Sequence, residues 1–269
     1  MNNTCALCAI GRLENAYAEE FVKHYLQLGF AHIYIYDNNH GTEEHFEEVL
    51  QRYIDEGTVT IINFRDQEKV QLTAYNHCYK MFGKLYGWMA FFDFDEFLTF
   101  THDSNIEDFL SRFEGFSAIK LNWMIYDDND LVIGDCRPLQ ERFTHPMPPE
   151  NRVKFTFPEN NHCKAIVRTG LNISWMATPH FPVGNVKTCN PDGVEVDNSP
   201  FQPYTFKTAY LKHFTMKTID EFLHNKMKRG VGDRTYARFL QSCEYDFFNI
   251  NKLTEEKKAY LRLFNTGQL

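Results

Sequence analysis

Apolar positions in the first hundred residues follow two periods that take turns. Runs that are apolar on both faces or rich in β-branched residues, at 4–10, 31–36, 58–64 and 88–92, predict strands. Between them the apolar residues recur at helical spacing. Over 14–28, Tyr17, Phe21, Tyr25 and Leu28 fall on one face, Glu19, Glu20 and Lys23 point to water, and Gly29 supplies the stop. A second helix is expected from Thr42, with Glu43 and Glu44 in its first turn, Phe46, Val49, Leu50 and Tyr53 buried, and Gly57 closing it. A third runs over 67–82 to Gly83. Strand and helix repeated three times imply right-handed crossovers, and so an α/β fold with a Rossmann-like, mostly parallel sheet between helices. The strand ends at Gly11, Asp37, Arg65 and Asp93 then gather along one edge and border a nucleotide-shaped crevice.

Beyond residue 100 the pattern loosens. Ser104 with Glu107 reads as a capping box for a short helix to Arg112, and 117–123 reads as a strand. From 127 to about 205 the chain is loop-rich and holds all ten prolines, with short strands at 164–168 and 172–176. A strand over 205–214 precedes a helix over 218–228, capped by Thr218 with Glu221 and ended by Gly230. The expected organisation is one domain with an α/β half, 1–100, and a loop-rich half, 101–269.

Composition narrows the function classes. A net charge of −8 disfavours a nucleic-acid partner, whose phosphates need Lys and Arg. No apolar run approaches the roughly 20 residues that span a bilayer, and Asn2, Asn3, Gly11 and Arg12 interrupt any leader pattern. Seven cysteines, an odd number, fit reduced thiols in a cytoplasmic setting, with Cys5 and Cys8 as small buried hydrophobes of the first strand.

The candidate chemistry sits where the apolar strand from Trp88 to Phe92 meets Asp93, Asp95 and Glu96. Strand alternation puts Asp93 and Asp95 on one side and packs Phe92 and Phe94 on the other. Two carboxylates at the dry end of a sheet repel each other unless they share a proton or bind a hard divalent cation, and the cation is the expectation here. The plainer alternative is that the pair ends the strand and faces water.

Several segments together resemble glycosyltransferase family 92 and related family-2-like enzymes. They are Glu14-Asn15, the strand ending Asp37-Asn38-Asn39, Gln71 with Ala74-Tyr75-Asn76, Phe92-Asp93-Phe94-Asp95-Glu96-Phe97-Leu98, Leu121-Asn122-Trp123, and Lys212-His213-Phe214 leading to Lys217, Thr218 and Glu221. Ile125-Tyr126-Asp127-Asp128 departs from the Phe-Gly that the family tends to have there. The resemblance implies a GT-A fold, a nucleotide-sugar donor (UDP-linked), and Mn2+ or Mg2+ held by Asp93 and Asp95. His213 is the expected third metal ligand, with His180 as competitor. Glu14, Asp37, Asn38, Gln71 and Asp93 are the expected donor-binding set, and Asp37 has the alternative role of stabilising its own turn. Lys217, or Lys212, would face the diphosphate.

An inverting reaction, also implied, needs a carboxylate base on the acceptor side, for which Asp127 is the candidate and Asp128 the reserve. Analogy suggests a glycan or glycolipid acceptor in lipopolysaccharide or capsule synthesis. The basic and aromatic stretch Lys226, Lys228, Arg229, Arg234, Tyr236, Arg238 and Phe239 raises peripheral membrane contact against a plain solvated helix face. An aspartate-based phosphatase and a non-catalytic sugar-binding protein are the competing classes.

Overall fold

The computed structural model describes residues 4–148, 153–154, 157–175, 178–229 and 253–269. The chain forms two compact units, one of Met1–Met124 with Glu159–His213, the other of Ile125–Pro158 with Phe214–Leu269.

The first unit opens as the apolar periods predict. Strands β1 (Cys5–Gly11), β2 (His32–Asp37), β3 (Val59–Asn63) and β4 (Trp88–Phe91) alternate with helices α1 (Asn15–Gln27), α2 (Glu47–Asp55) and α3 (Gln71–Phe82). β1 pairs parallel with β2 and β4, and β2 with β3, in a register that sets Gly11 beside Asp37 and Asp37 beside Asn63. The carboxyl ends of these strands therefore share one edge. β5 (Glu96–Phe100), α4 (Ile106–Ser111) and β6 (Ala118–Ile125) follow, and then, in the stretch that belongs to the second unit, the short hairpin strands β7 (Val153–Lys154) and β8 (Phe157–Pro158). Next come β9 (Cys163–Arg168), the paired β10 (Ile173–Ser174) and β11 (Val183–Gly184), β12 (Thr188–Cys189) and β13 (Ala209–His213). The large sheet runs β3-β2-β1-β4-β9-β6-β13-β5, with β12 beside β6. β9 lies antiparallel to β4 and β6, so the parallel half meets an antiparallel half at β4.

Side-chain alternation packs the two faces. On one, Phe92 and Phe94 meet Tyr25 and Phe21 of α1 at 5.8 and 4.7 Å between ring centres. On the other, Phe91 packs on Tyr75 of α3 and on Trp175. Gly11 is required for this arrangement, since a Cβ there would lie 2.6 Å from the Phe94 ring. Cys5 and Cys8 are buried in β1 as free thiols.

Several boundaries differ from expectation, each for a local reason. α2 begins at Glu47, because Glu43 binds Arg12 and Glu44 accepts from the Asn15 amide instead of facing a helix dipole. Val49 is consequently exposed. α4 is capped by Asn105, not Ser104. β4 stops at Phe91, and 93–96 is a turn closed by a Glu96 amide bond to the Asp93 carbonyl.

In the second unit a helix over 219–229, with π geometry at Phe222–Lys226, starts in the expected Thr218–Glu221 capping box. Arg142 binds Glu221 with two hydrogen bonds, at 3.0 and 2.8 Å. A helix not expected from the sequence, Glu255–Asn265, is capped by Thr254. Its Tyr260, Leu261 and Phe264 join Met216, Ile219, Phe222 and Leu223 in an apolar cluster. Among the described residues no helix is long and apolar enough to cross a membrane.

Candidate active site

The sheet edge is built by loops that bind one another. Asp37, at the end of β2, receives Arg65 at 2.7 Å on one carboxylate oxygen and the Asn39 amide and side chain on the other. Asn38 donates to the Phe64 and Gln67 carbonyls. Both residues thus brace the turn after β2, one of the two roles weighed for Asp37. Arg65 donates to the Asp37 carboxylate and to the carbonyls of Gly41, Glu43 and Glu44, which ties the loop after β3 to the loop after β2. Glu14 is buried at the mouth of α1, where its carbonyl accepts the Tyr17 amide.

The carboxylate turn follows directly from the end of β4. One Asp93 oxygen accepts from Gln71 at 3.1 Å and from the Tyr75 hydroxyl at 3.2 Å, and the other takes the Lys164 ammonium at 2.8 Å. Glu96 turns inward and accepts the Asp93 amide at 2.9 Å, which closes the turn from below. It is fully buried, and its Oε1 has no hydrogen-bond partner among the described residues. Burial, reinforced by Asp93 and Asp95 and opposed by Lys164, holds the Glu96 carboxyl well above the usual carboxylate range. Burial by itself would lower the Lys164 ammonium, but Asp93 and Glu96 hold it well above the usual lysine value, so it is a cation.

Asp95 is buried separately, with its Oδ1 3.6 Å from Nε2 of His213 at the end of β13. Trp123 packs 4.3 Å from the His213 ring and stacks on His162. The alternation of β13 buries Ala209, Leu211 and His213 together and leaves Tyr210 and Lys212 on the other face. Lys212, lowered by burial and opposed by Glu20 of α1, is therefore turned away from the carboxylates. His180 donates Nδ1–H to the Cys163 carbonyl at 3.0 Å, and burial, with the Lys164 and His162 charges, pushes its pKa down to about 3.

The structure thus brings Asp95 to His213 and Gln71 to Asp93, but Asp93, Asp95 and His213 do not converge within the span of one ion. The one acidic and imidazole triad close enough among the described residues is Asp37, His45 and Glu47, where Asp37 is already paired with Arg65 and the other two are exposed. A carboxylate oxygen and an imidazole nitrogen facing each other suit Mn2+ better than Mg2+, which prefers oxygen alone.

In the second unit Asp127 is one-third exposed, and its Oδ1 accepts the Asn129 amide and lies 3.8 Å from His145. Asp128 is buried against Lys257 at 2.6 Å. Lys217 is buried in a left-handed backbone conformation just before the capping box. Of the basic stretch, Lys226, Lys228 and Arg229 end the 219–229 helix, whereas Arg234, Tyr236, Arg238 and Phe239 lie outside the described residues.

From sequence, Arg65 stands only as a strand end and Lys164 only as the start of a short strand, with no role at the site given to either. Each had a signal: Arg65 ends a strand, and Lys164 is a lone cation in the apolar run from Cys163 to Val167.

A Rossmann-like sheet with an acidic turn at its carboxyl edge is the framework of GT-A enzymes. The chain belongs to glycosyltransferase family 92, whose family model matches residues 15–236. It is 28% identical over 128 residues to galactan beta-1,4-galactosyltransferase GALS2 of Arabidopsis thaliana, covering 45% of this chain and 24% of that protein. GALS3 of the same plant is 27% identical over 139 residues, covering 49% and 27%. The matched stretch is thus about a quarter of the length of these relatives. Among solved structures, S. aureus TarS 1-349 is similar with a TM-score of 0.39 at 11% identity, over 95% of this chain and 77% of that one.

Proposed function

We propose that the chain transfers a hexose from a nucleoside diphosphate sugar to a hydroxyl of a glycan or glycolipid, with a divalent cation and inversion at the anomeric carbon. The observation that carries this reading is the Asp95–His213 pair beside the Asp93 turn, at the carboxyl edge of a family 92 sheet. Asp95 and His213 would hold the cation, which supplies Lewis acidity at the leaving diphosphate. Asp93, fixed by Gln71, Tyr75 and Lys164, offers the donor an oriented carboxylate one-third exposed to solvent. Asp37, Asn38 and Glu14 shape the nucleoside side of the crevice, and Lys217 is the candidate cation for the diphosphate. Asp127 is the candidate base, supported by its exposure relative to Asp128.

The family resemblance supports uridine as the nucleoside, and the name shared by the two plant relatives supports galactose as the first sugar to test and a glycan as acceptor. A lipopolysaccharide or capsular acceptor, reached from the cytoplasm at a membrane surface through the basic end of the 219–229 helix, completes the proposal. The test is a panel of nucleotide sugars with and without Mn2+, read as nucleoside diphosphate release. Cation-dependent release of UDP supports the reading. Release of inorganic phosphate instead would point to a phosphatase, and binding without turnover to a sugar-binding protein.

A further inference from the structure

Register and burial single out Lys164. β9 pairs Ile166 with Ala90, so Lys164, two residues earlier, falls beside Phe92, just ahead of the carboxylate turn. The side chain is 1% exposed, yet it reaches Asp93 Oδ2 at 2.8 Å and Glu96 Oε2 at 3.7 Å, with Nζ 5.9 Å from the centre of the Tyr75 ring. An ammonium placed this deep is stable only if carboxylates surround it, and the carboxylates it has chosen belong to the turn. Gln71 and Tyr75 reach the opposite oxygen of Asp93, so three side chains from α3 and β9 fix both oxygens of one carboxylate. Asp95 is absent from this set and is turned instead to His213.

We infer that Lys164 is a positioning residue for the donor: it holds Asp93 in a fixed orientation toward the nucleotide sugar and reserves Asp95 and His213 for the cation. The inference rests on the proposed glycosyl transfer for its functional half alone. Lys164 is too buried to touch substrate, so its effect passes through Asp93 and falls on donor binding more than on the chemical step.

Lys164→Met, Lys164→Arg, Asp93→Asn and the Lys164→Met/Asp93→Asn double variant are compared by chemical denaturation, by Mn2+ binding followed by electron paramagnetic resonance, and by donor kinetics. Expected results are that Lys164→Arg folds and raises the donor KM roughly 10-fold or more with kcat nearly unchanged. Its Mn2+ affinity stays within about twofold of wild type, since the cation is held elsewhere. Lys164→Met is less stable than the double variant, because the double variant leaves no lone buried charge. A Lys164→Arg enzyme with wild-type donor KM, or one whose Mn2+ affinity falls as far as its donor affinity, overturns the positioning role. Additive stabilities in the cycle overturn the ion pair itself. If the wild type turns over no donor, the proposed function fails, while the stability cycle still reads the Lys164–Asp93 pair.

Discussion

Lys257→Met should unfold the second unit more readily than any other single change on the last helix. Lys257 Nζ is fully buried, 2.6 Å from Asp128 Oδ2 and 3.5 Å from Asp130 Oδ1. The turn it reaches has Asn129 and Asp130 in the left-handed region, at φ of 51° and 58°, so it needs outside support. Asx bonds from the Asn129 and Asp130 amides to Asp127 and Asp128 supply part of that support. Removing the ammonium leaves Asp128, 2% exposed, as a buried carboxylate without its cation. Breaking a buried pair from one side costs about 3–5 kcal/mol, a large part of the roughly 5–15 kcal/mol that holds a domain folded. Methionine keeps most of the side-chain volume, so the loss is electrostatic and not a cavity. Urea unfolding, with hydrogen exchange at residues 127–131 as a local probe, reads both effects. Lys257→Met/Asp128→Asn should recover most of the loss because the stranded charge is gone. A single variant as stable as wild type, or a double variant no better than the single, would refute the reasoning.

Other expectations follow from the same geometry. Asp127→Asn should lower transfer by roughly 10²-fold while donor binding persists, whereas Asp128→Asn should act mainly on stability; two variants with normal transfer would remove Asp127 from the mechanism. His213→Ala should weaken Mn2+ dependence more than His180→Ala, since His213 Nε2 lies 3.6 Å from the Asp95 carboxylate, whereas the His180 ring contacts the Cys163 carbonyl through Nδ1; a larger effect from His180→Ala, read by metal titration, would exchange the two roles. His24 donates to the Leu98 carbonyl, and burial, with a smaller push from Lys212, lowers its pKa to about 4. The unfolded chain takes up that proton near pH 6.5, so the contribution of His24 to stability is complete above that pH and is lost as pH falls from 6.5 toward 4. Denaturation midpoints across this window should fall less steeply in His24→Gln, and parallel slopes would contradict the assignment.

The parallel half of the sheet was legible because its signals are local. Tyr17, Phe21 and Tyr25 mark the inner face of α1 by spacing alone, and four apolar runs mark β1 to β4. Prediction slipped where a side chain served a distant partner. Glu43 and Glu44 look like first-turn acids of a helix, but Arg12 and the Asn15 amide claim them across 31 and 29 positions, so α2 starts later. Asp93 was visible as a site residue, whereas its ion pair with Lys164 spans 71 positions and depends on β9 lying antiparallel to β4. That strand pairing is tertiary information which no local period carries. The last helix was passed over although Thr254, Glu255 and Glu256 form an ordinary helix start, because its apolar residues are few and are completed by the 219–229 helix.

The most direct test of the central claim is calorimetric binding of UDP to the wild type and to Asp95→Ala, each with and without Mn2+. The sheet-edge assignment predicts that Mn2+ strengthens UDP binding to the wild type at least tenfold, as expected when a cation bridges protein and diphosphate, and leaves binding to Asp95→Ala unchanged. Equal strengthening by Mn2+ in both proteins, or no binding of UDP to the wild type under either condition, would contradict it.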